Sequence, residues 1–347
     1  MNWEKYRKRV SLPEQIELPS IPQVPEGIER PFWSVMIPTY NRTKYLEETL
    51  RSVLEQDLGP EKMQIEVIDN CSVEGESEAI VKEVGKGRVS FYRQPYNVGM
   101  AANWNTCINR ARGHWVHILH DDDTVLPGFY SHLQAALEKQ PPVGAAFCRY
   151  LSIDPDSNWL YISAMEMQTS GVLSDFIERL SPGVVQCPAV VVKRSTYEKL
   201  GGFSCELKYM PDLEMWMRIA LHNSFWYESL PLACYRVRAK ESETMAIVKS
   251  NTVITDGYRL IGVLQSYISP EVADKILKLT RRNMRLLSID AIRYNVNVSD
   301  MKTARMQMQE LLRCDISWKV IMGIVGSFKG KAIVKLPQMI REIIYGR

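Results

Sequence analysis

The run Gly113-His114-Trp115-Val116-His117-Ile118-Leu119-His120-Asp121-Asp122-Asp123 constrains this chain more than any other stretch: it is apolar for much of its length and ends in three consecutive acids. A short apolar segment with glycine before it and charge after it reads as a buried strand. Adjacent carboxylates repel one another and lose hydration on burial, so a strand that delivers three of them to one point calls for a cation or a polar ligand there.

The preceding residues repeat one pattern. Phe32 to Ile37 predicts a strand stopped at Pro38, and Thr43 is placed to cap a helix with the apolar stripe Leu46, Leu50, Val53 and Leu54. Gln64 to Ile68 predicts a second strand, and an acidic helix follows through Glu78 to the stop at Gly85. Val89 to Arg93 and Trp115 to Leu119 predict two more strands, with the helix Ala101 to Arg110 between them. Short buried strands alternating with helices imply an α/β fold with a mainly parallel sheet covered on both faces. Ligands of such sheets bind at the carboxyl ends of the strands. Thr39 to Arg42, Asp69 to Ser72, Asn97 to Asn103 and Asp121 to Asp123 all lie there, so four loops are expected to converge on one crevice.

Downstream, a helix is expected from Phe129 to Leu137, and strands at 144–150 and 159–163. A short helix is expected to place Leu173, Phe176, Ile177 and Leu180 on one face, before a strand at 189–192. A helix begins near Asp212, and two strands follow at 225–227 and 232–235. From about residue 245 the pattern is helical, with starts at Pro270 and Ser299. These boundaries divide the chain into an extended arm at 1–31, an α/β domain at 32–240 and a C-terminal helical region at 241–347. Acceptor selection is expected in residues 150 to 210 and in the C-terminal helices.

Composition narrows the classes. A formal net charge of +3 is too weakly basic to argue for a nucleic-acid partner by itself, and none is expected. The seven cysteines include no closely spaced pair, which excludes a zinc knuckle or redox motif and suits reduced thiols in the cytoplasm. No apolar signal-peptide core stands near Met1, and Val320 to Phe328 is too short to span a bilayer. The tail from Trp318 carries Lys319, Lys329, Lys331, Lys335, Arg341 and Arg347, which suits either a helical cap with a solvated basic face or peripheral contact with an anionic membrane. Strand alternation puts His114 and His120 on one face and His117 on the other, against a shared zinc site.

Together the loops resemble an inverting family 2 glycosyltransferase with the GT-A fold, over roughly residues 32 to 240. The resemblance rests on Ser34-Val35-Met36-Ile37-Pro38-Thr39-Tyr40-Asn41-Arg42, Ile68-Asp69-Asn70-Cys71-Ser72, Asn97-Val98-Gly99 with Asn103, the acidic triplet, and Asp212 with Trp216 and Arg218. It implies transfer of a sugar from a nucleotide-sugar donor to a glycan, lipid-linked or related acceptor, with Mn2+ or Mg2+ on the diphosphate. By the same resemblance, Pro38, Thr39 and Tyr40 shape and stack on the base pocket, and Asp69 accepts a hydrogen bond from the base. Asn70 stands where a second acid is common. Gly99 and Asn103 approach the donor, Asp122 carries the metal, Asp121 bonds the ribose or supports the metal, and Arg236 and Arg238 reach the diphosphate. Asp212 would be the catalytic base, with Glu214 as the fallback. His120 stands where relatives often have an acid, so its contribution is open. Two alternatives are a nucleotide-sugar-binding protein without catalysis and, on a weaker footing, a sugar nucleotidyltransferase, which would want a glycine-rich basic loop after the first strand.

Overall fold

The structure, a computed structural model, describes residues 16–139, 142–180, 183–237, 249–315 and 317–327. The chain divides into two units: Glu17–Cys205 with Pro211–Ala239, and Glu206–Met210 with the helices beyond residue 240. Arg238, residues 1–15 of the N-terminal arm and the basic tail from Lys329 lie outside the described residues.

The first unit is built on a ten-stranded sheet. Its first half comprises β1 (Trp33–Thr39), β2 (Met63–Asp69), β3 (Ser90–Arg93) and β4 (Trp115–Ile118) in the order β3-β2-β1-β4, all parallel. Helices α1 (Leu46–Leu54), α2 (Ser77–Gly85) and α3 (Met100–Arg110) make the crossovers. Every residue of β1 is buried, as a strand covered on both faces must be. Leu46, Leu50 and Val53 of α1 join Val35, Ile37, Val67 and Phe129 in the main core. Gly113 marks where α3 returns to the sheet, because a Cβ there would meet the Ser34 backbone nitrogen at 2.7 Å.

The second half of the sheet is mixed. It contains β5 (Thr124–Val125), β6 (Val143–Ile153), β7 (Trp159–Ile162), β8 (Gly171–Leu173), β9 (Val190–Lys193) and β10 (Ser224–Arg236), with helices α4 (Phe129–Leu137), α5 (Arg194–Leu200) and α6 (Pro211–His222). Strand β9 runs antiparallel between β4 and β6, while β6 and β10 are parallel. No described helix is long and apolar enough to cross a membrane.

Four local expectations give way to tertiary packing. β1 runs through Pro38 to Thr39, because Pro38 sits in register with Ile68 at the strand end and only its missing N–H is lost. Thr43 does not cap α1, whose N-cap is Tyr45 without a side-chain bond; Thr43 instead faces Gly75. Residues 173 to 180 form no α-helix: Leu173 belongs to β8, paired with Phe225, and Phe176 begins a 3-10 turn stacked on Phe147 at 4.9 Å. The two strands expected at 225–227 and 232–235 are one strand, β10, which absorbs Glu228 to Pro231 as bulges.

The second unit contains α7 (Thr252–Tyr267), α8 (Pro270–Asn297), α9 (Met301–Cys314) and α10 (Trp318–Gly326). The start expected at Ser299 falls one residue later, where the Asp300 carboxylate accepts the Thr303 N–H at the N-cap of α9. The buried Asp256 carboxylate of α7 accepts the backbone N–H groups of Lys208, Tyr209 and Met210, at 2.7 to 3.1 Å, and fixes that segment to the helix.

Candidate active site

Parallel pairing puts the ends of β1 and β4 side by side, and the Leu119 N–H donates to Met36 O at 3.0 Å. Thr39, at the end of β1, therefore reaches the acidic turn and donates from Oγ1 to Asp121 Oδ2 at 2.6 Å. Arg42 forks over the same turn, with Nη2 2.5 Å from Asp121 Oδ1 and Nη1 2.9 Å from Asp122 Oδ2. Burial pushes the Asp121 carboxyl up to about 6 even though Arg42 opposes the shift. Burial also works against the Arg42 charge, but Asp121, Asp122 and Asp123 outweigh it and drive the guanidinium pKa up.

Asp123 faces another way. Its Oδ1 accepts the Arg236 backbone N–H at 2.8 Å, while its buried Oδ2 makes no hydrogen bond. Burial, then Asp122, push its carboxyl well above the usual range. His120 stacks on Trp104 with ring centroids 5.0 Å apart, its Nδ1 stands 3.8 Å from Asp123 Oδ2, and its Nε2 is buried without a hydrogen bond. One ligand atom from each of His120, Asp122 and Asp123 falls within 4.8 Å of the others. An imidazole and two carboxylates brought this close, two of them carrying a buried atom without a hydrogen bond, fit a divalent cation.

The other loops are tied to one another. Asp69 Oδ1 accepts both the N–H and the hydroxyl of Ser72, at 3.0 and 2.5 Å, and the residue is 1% exposed. Asn70 donates to Asn97 Oδ1 at 2.9 Å and accepts the Val98 N–H at 2.9 Å, which latches the loop after β2 to the loop after β3. Gly99 is the N-cap of α3 with φ 86°, and open space surrounds its missing Cβ. Asn103 is buried, donating to Ile68 O and accepting from Gln94, so its amide joins α3 to β2. Pro38 is buried in β1, whereas Tyr40, just beyond it, is 39% exposed.

Asp212 lies in the first turn of α6, and its Oδ1 accepts the Leu213 N–H at 2.8 Å. Burial raises the Cys187 thiol, and the charges of Asp212 and Asp123 raise it further, so both acids lie within electrostatic range of that residue. Glu214 is 0% exposed and holds Arg218 in a two-bonded pair, 2.9 Å at each oxygen. Arg236 is equally committed. Its guanidinium, with no exposed surface, donates to Asp122 O, Asp154 O and Ser157 Oγ, pairs with Glu48 at 2.8 Å and lies 4.2 Å over the Tyr45 ring.

His117 belongs to the core. Its Nε2 donates to Pro188 O at 3.0 Å and Nδ1 lies 3.1 Å from the Tyr130 hydroxyl, which donates to it in the neutral ring that burial favours. Sequence reasoning places Arg42 and Asp123 in the converging loops but gives neither a role of its own. The available signal was a cation three residues beyond one strand end, facing three acids at the next.

Residues 34–201 match the model of the family described as Glycosyl transferase family 2. A Rickettsia prowazekii protein named an uncharacterized glycosyltransferase is 25% identical over 224 residues, spanning 64% of this chain and 69% of its own. The crystal structure of Staphylococcus aureus TarS 1-349 in complex with UDP-GlcNAc superposes with a TM-score of 0.61 at 17% identity, over 89% of this chain and 86% of that one. The mannosyltransferase PcManGT of Pyrobaculum calidifontis, in complex with GDP-Man and Mn2+, superposes with a TM-score of 0.54 at 15% identity, over 99% of this chain and 94% of that one. These likenesses show the GT-A fold.

Proposed function

We propose that this glycosyltransferase, whose residues 34–201 match the family 2 model, moves a sugar from a nucleoside-diphosphate sugar to a glycan or lipid-linked acceptor hydroxyl, with inversion at the anomeric carbon. The observation that carries this reading is the convergence of His120, Asp122 and Asp123 at the carboxyl edge of the sheet, with Asp123 Oδ2 and His120 Nε2 buried and unbonded. Structures of the same fold holding UDP-GlcNAc, or GDP-Man with Mn2+, support it. Asp122, Asp123 and His120 would hold the cation, and the imidazole favours manganese over magnesium, which prefers an all-oxygen shell. A divalent cation there would supply positive charge to the diphosphate as it leaves.

The chain's own groups do the rest. Tyr40 offers an exposed ring for the base, and Gly99 opens the α3 N-terminus to a phosphate. Asp69, Asn70 and Asn103 hold the loops that shape the donor pocket, and Asp121, with Thr39, anchors the acidic turn. Arg236 is a positioning residue in this reading, because its guanidinium is spent on protein atoms. Asp212 takes the acceptor proton as the acceptor oxygen bonds to the anomeric carbon and the bond from that carbon to the diphosphate breaks, its electron pair leaving with the diphosphate. Arg238 is kept as a candidate diphosphate contact from the sequence alone.

A panel of nucleotide sugars, incubated with and without manganese and read by mass spectrometry for released nucleoside diphosphate, tests the proposal. Release from at least one donor only when the cation is present is the expected result. Release that is equal with the cation chelated would remove the cation from the reading.

A further inference from the structure

Arg42 stands where a cation would. Its two terminal nitrogens bridge neighbouring carboxylates, 2.5 Å from Asp121 and 2.9 Å from Asp122, so the Asp122 carboxylate, a member of the candidate ligand set, already faces positive charge. The backbone beside it is fixed. Asn41 is in the left-handed region at φ 51°, its N–H donates to Ser72 Oγ at 2.8 Å, and its Oδ1 accepts the Val73 N–H at 2.9 Å. The Arg42 side chain is 25% exposed while that of Asp121 is 0% exposed, which puts the guanidinium on the open side of the turn.

We propose that Arg42 is an internal counter-cation of the acidic turn, which makes a divalent cation and a nucleoside diphosphate bind synergistically and each weakly alone. This rests on the reading that Asp122 takes part in holding the cation. A dication entering by itself meets the guanidinium at the same carboxylate and must repel or displace it. A diphosphate brings anionic oxygens that offset both charges, and a guanidinium pairs with phosphate as readily as with carboxylate. Binding of either partner is therefore coupled to the other, and linkage makes the coupling reciprocal.

The test titrates manganese alone, followed by its electron paramagnetic resonance signal, into the full-length wild type and its Arg42→Gln, Arg42→Lys and Asp122→Asn variants. Arg42→Gln should bind manganese roughly tenfold more tightly than wild type, a coupling of ordinary size. Arg42→Lys, a point charge that does not bridge both carboxylates, should fall between the two. Adding the nucleoside diphosphate identified by the donor panel should tighten manganese more in wild type than in Arg42→Gln. If Arg42→Gln does not fold, Arg42→Lys carries the test. Affinity for manganese no tighter than wild type in the folded Arg42 variants, while Asp122→Asn still weakens it, would overturn the proposal and leave the cation reading standing. Unchanged binding in Asp122→Asn would instead remove the cation reading.

Discussion

Arg236 Nε donates to the backbone oxygen of Asp122 at 2.8 Å, from a guanidinium with no exposed surface. The same group holds Asp154 O and Ser157 Oγ in the turn between β6 and β7, and its backbone N–H holds Asp123 Oδ1. One residue thus fixes both the carbonyl of one candidate ligand and the carboxylate of the next.

Replacing Arg236 with methionine keeps the backbone bond to Asp123 but removes the side-chain bonds, and leaves the buried Asp122 carbonyl without its donor. The expected loss is on the order of 3 kcal/mol of folding stability, read from urea unfolding. Weaker nucleotide binding should then follow from a loosened turn. Unchanged stability combined with lost diphosphate affinity would show that Arg236 acts on the donor itself.

His117 sets a pH dependence. Burial lowers its pKa from 6.5 to about 3, so the folded protein keeps the ring neutral. Above pH 6.5 both folded and unfolded chains are neutral there and the contribution to stability is complete. As pH falls below 6.5 the unfolded chain takes up a proton that the folded chain refuses, and stability drops by about 1.4 kcal/mol per pH unit until the folded ring also titrates. The slope between pH 6 and pH 5 should be shallower in His117→Gln by about that amount, and equal slopes would show that the ring is not held neutral.

Two acids of α6 should separate cleanly. Glu214 is locked in its pair with Arg218, so Glu214→Ala should cost about 3–5 kcal/mol of stability while the folded fraction keeps its turnover. Asp212→Asn should do the reverse, with folding and nucleotide affinity retained and transfer reduced about 100- to 10,000-fold. Thermal melts paired with initial rates check both. A stable but inactive Glu214→Ala would make Glu214 the base.

The parallel half of the sheet was legible because β1, β2 and β4 are buried on both faces and read as largely apolar runs, each ending in a polar loop. The elements that were missed take their structure from distant partners. Phe176 is drawn to Phe147 in a 3-10 turn and not into an α-helix, and Pro231 lies in a bulge of one strand where two apolar runs suggest two. In the site, residue types marked the right loops without showing which side chains were already engaged. Asn70 bonds the loop after β3 and Asn103 bonds strand β2, and the Asp123 carboxylate is held through its other oxygen by Arg236, 113 positions away.

The central claim is that the acidic turn holds a cation and a diphosphate through Asp122. Its most direct test is calorimetric titration of nucleoside diphosphates, with manganese present, into wild type and Asp122→Ala. Cation-dependent binding of at least one nucleotide, weakened at least about tenfold by the substitution, is the predicted result. The same affinity in both proteins would contradict the account.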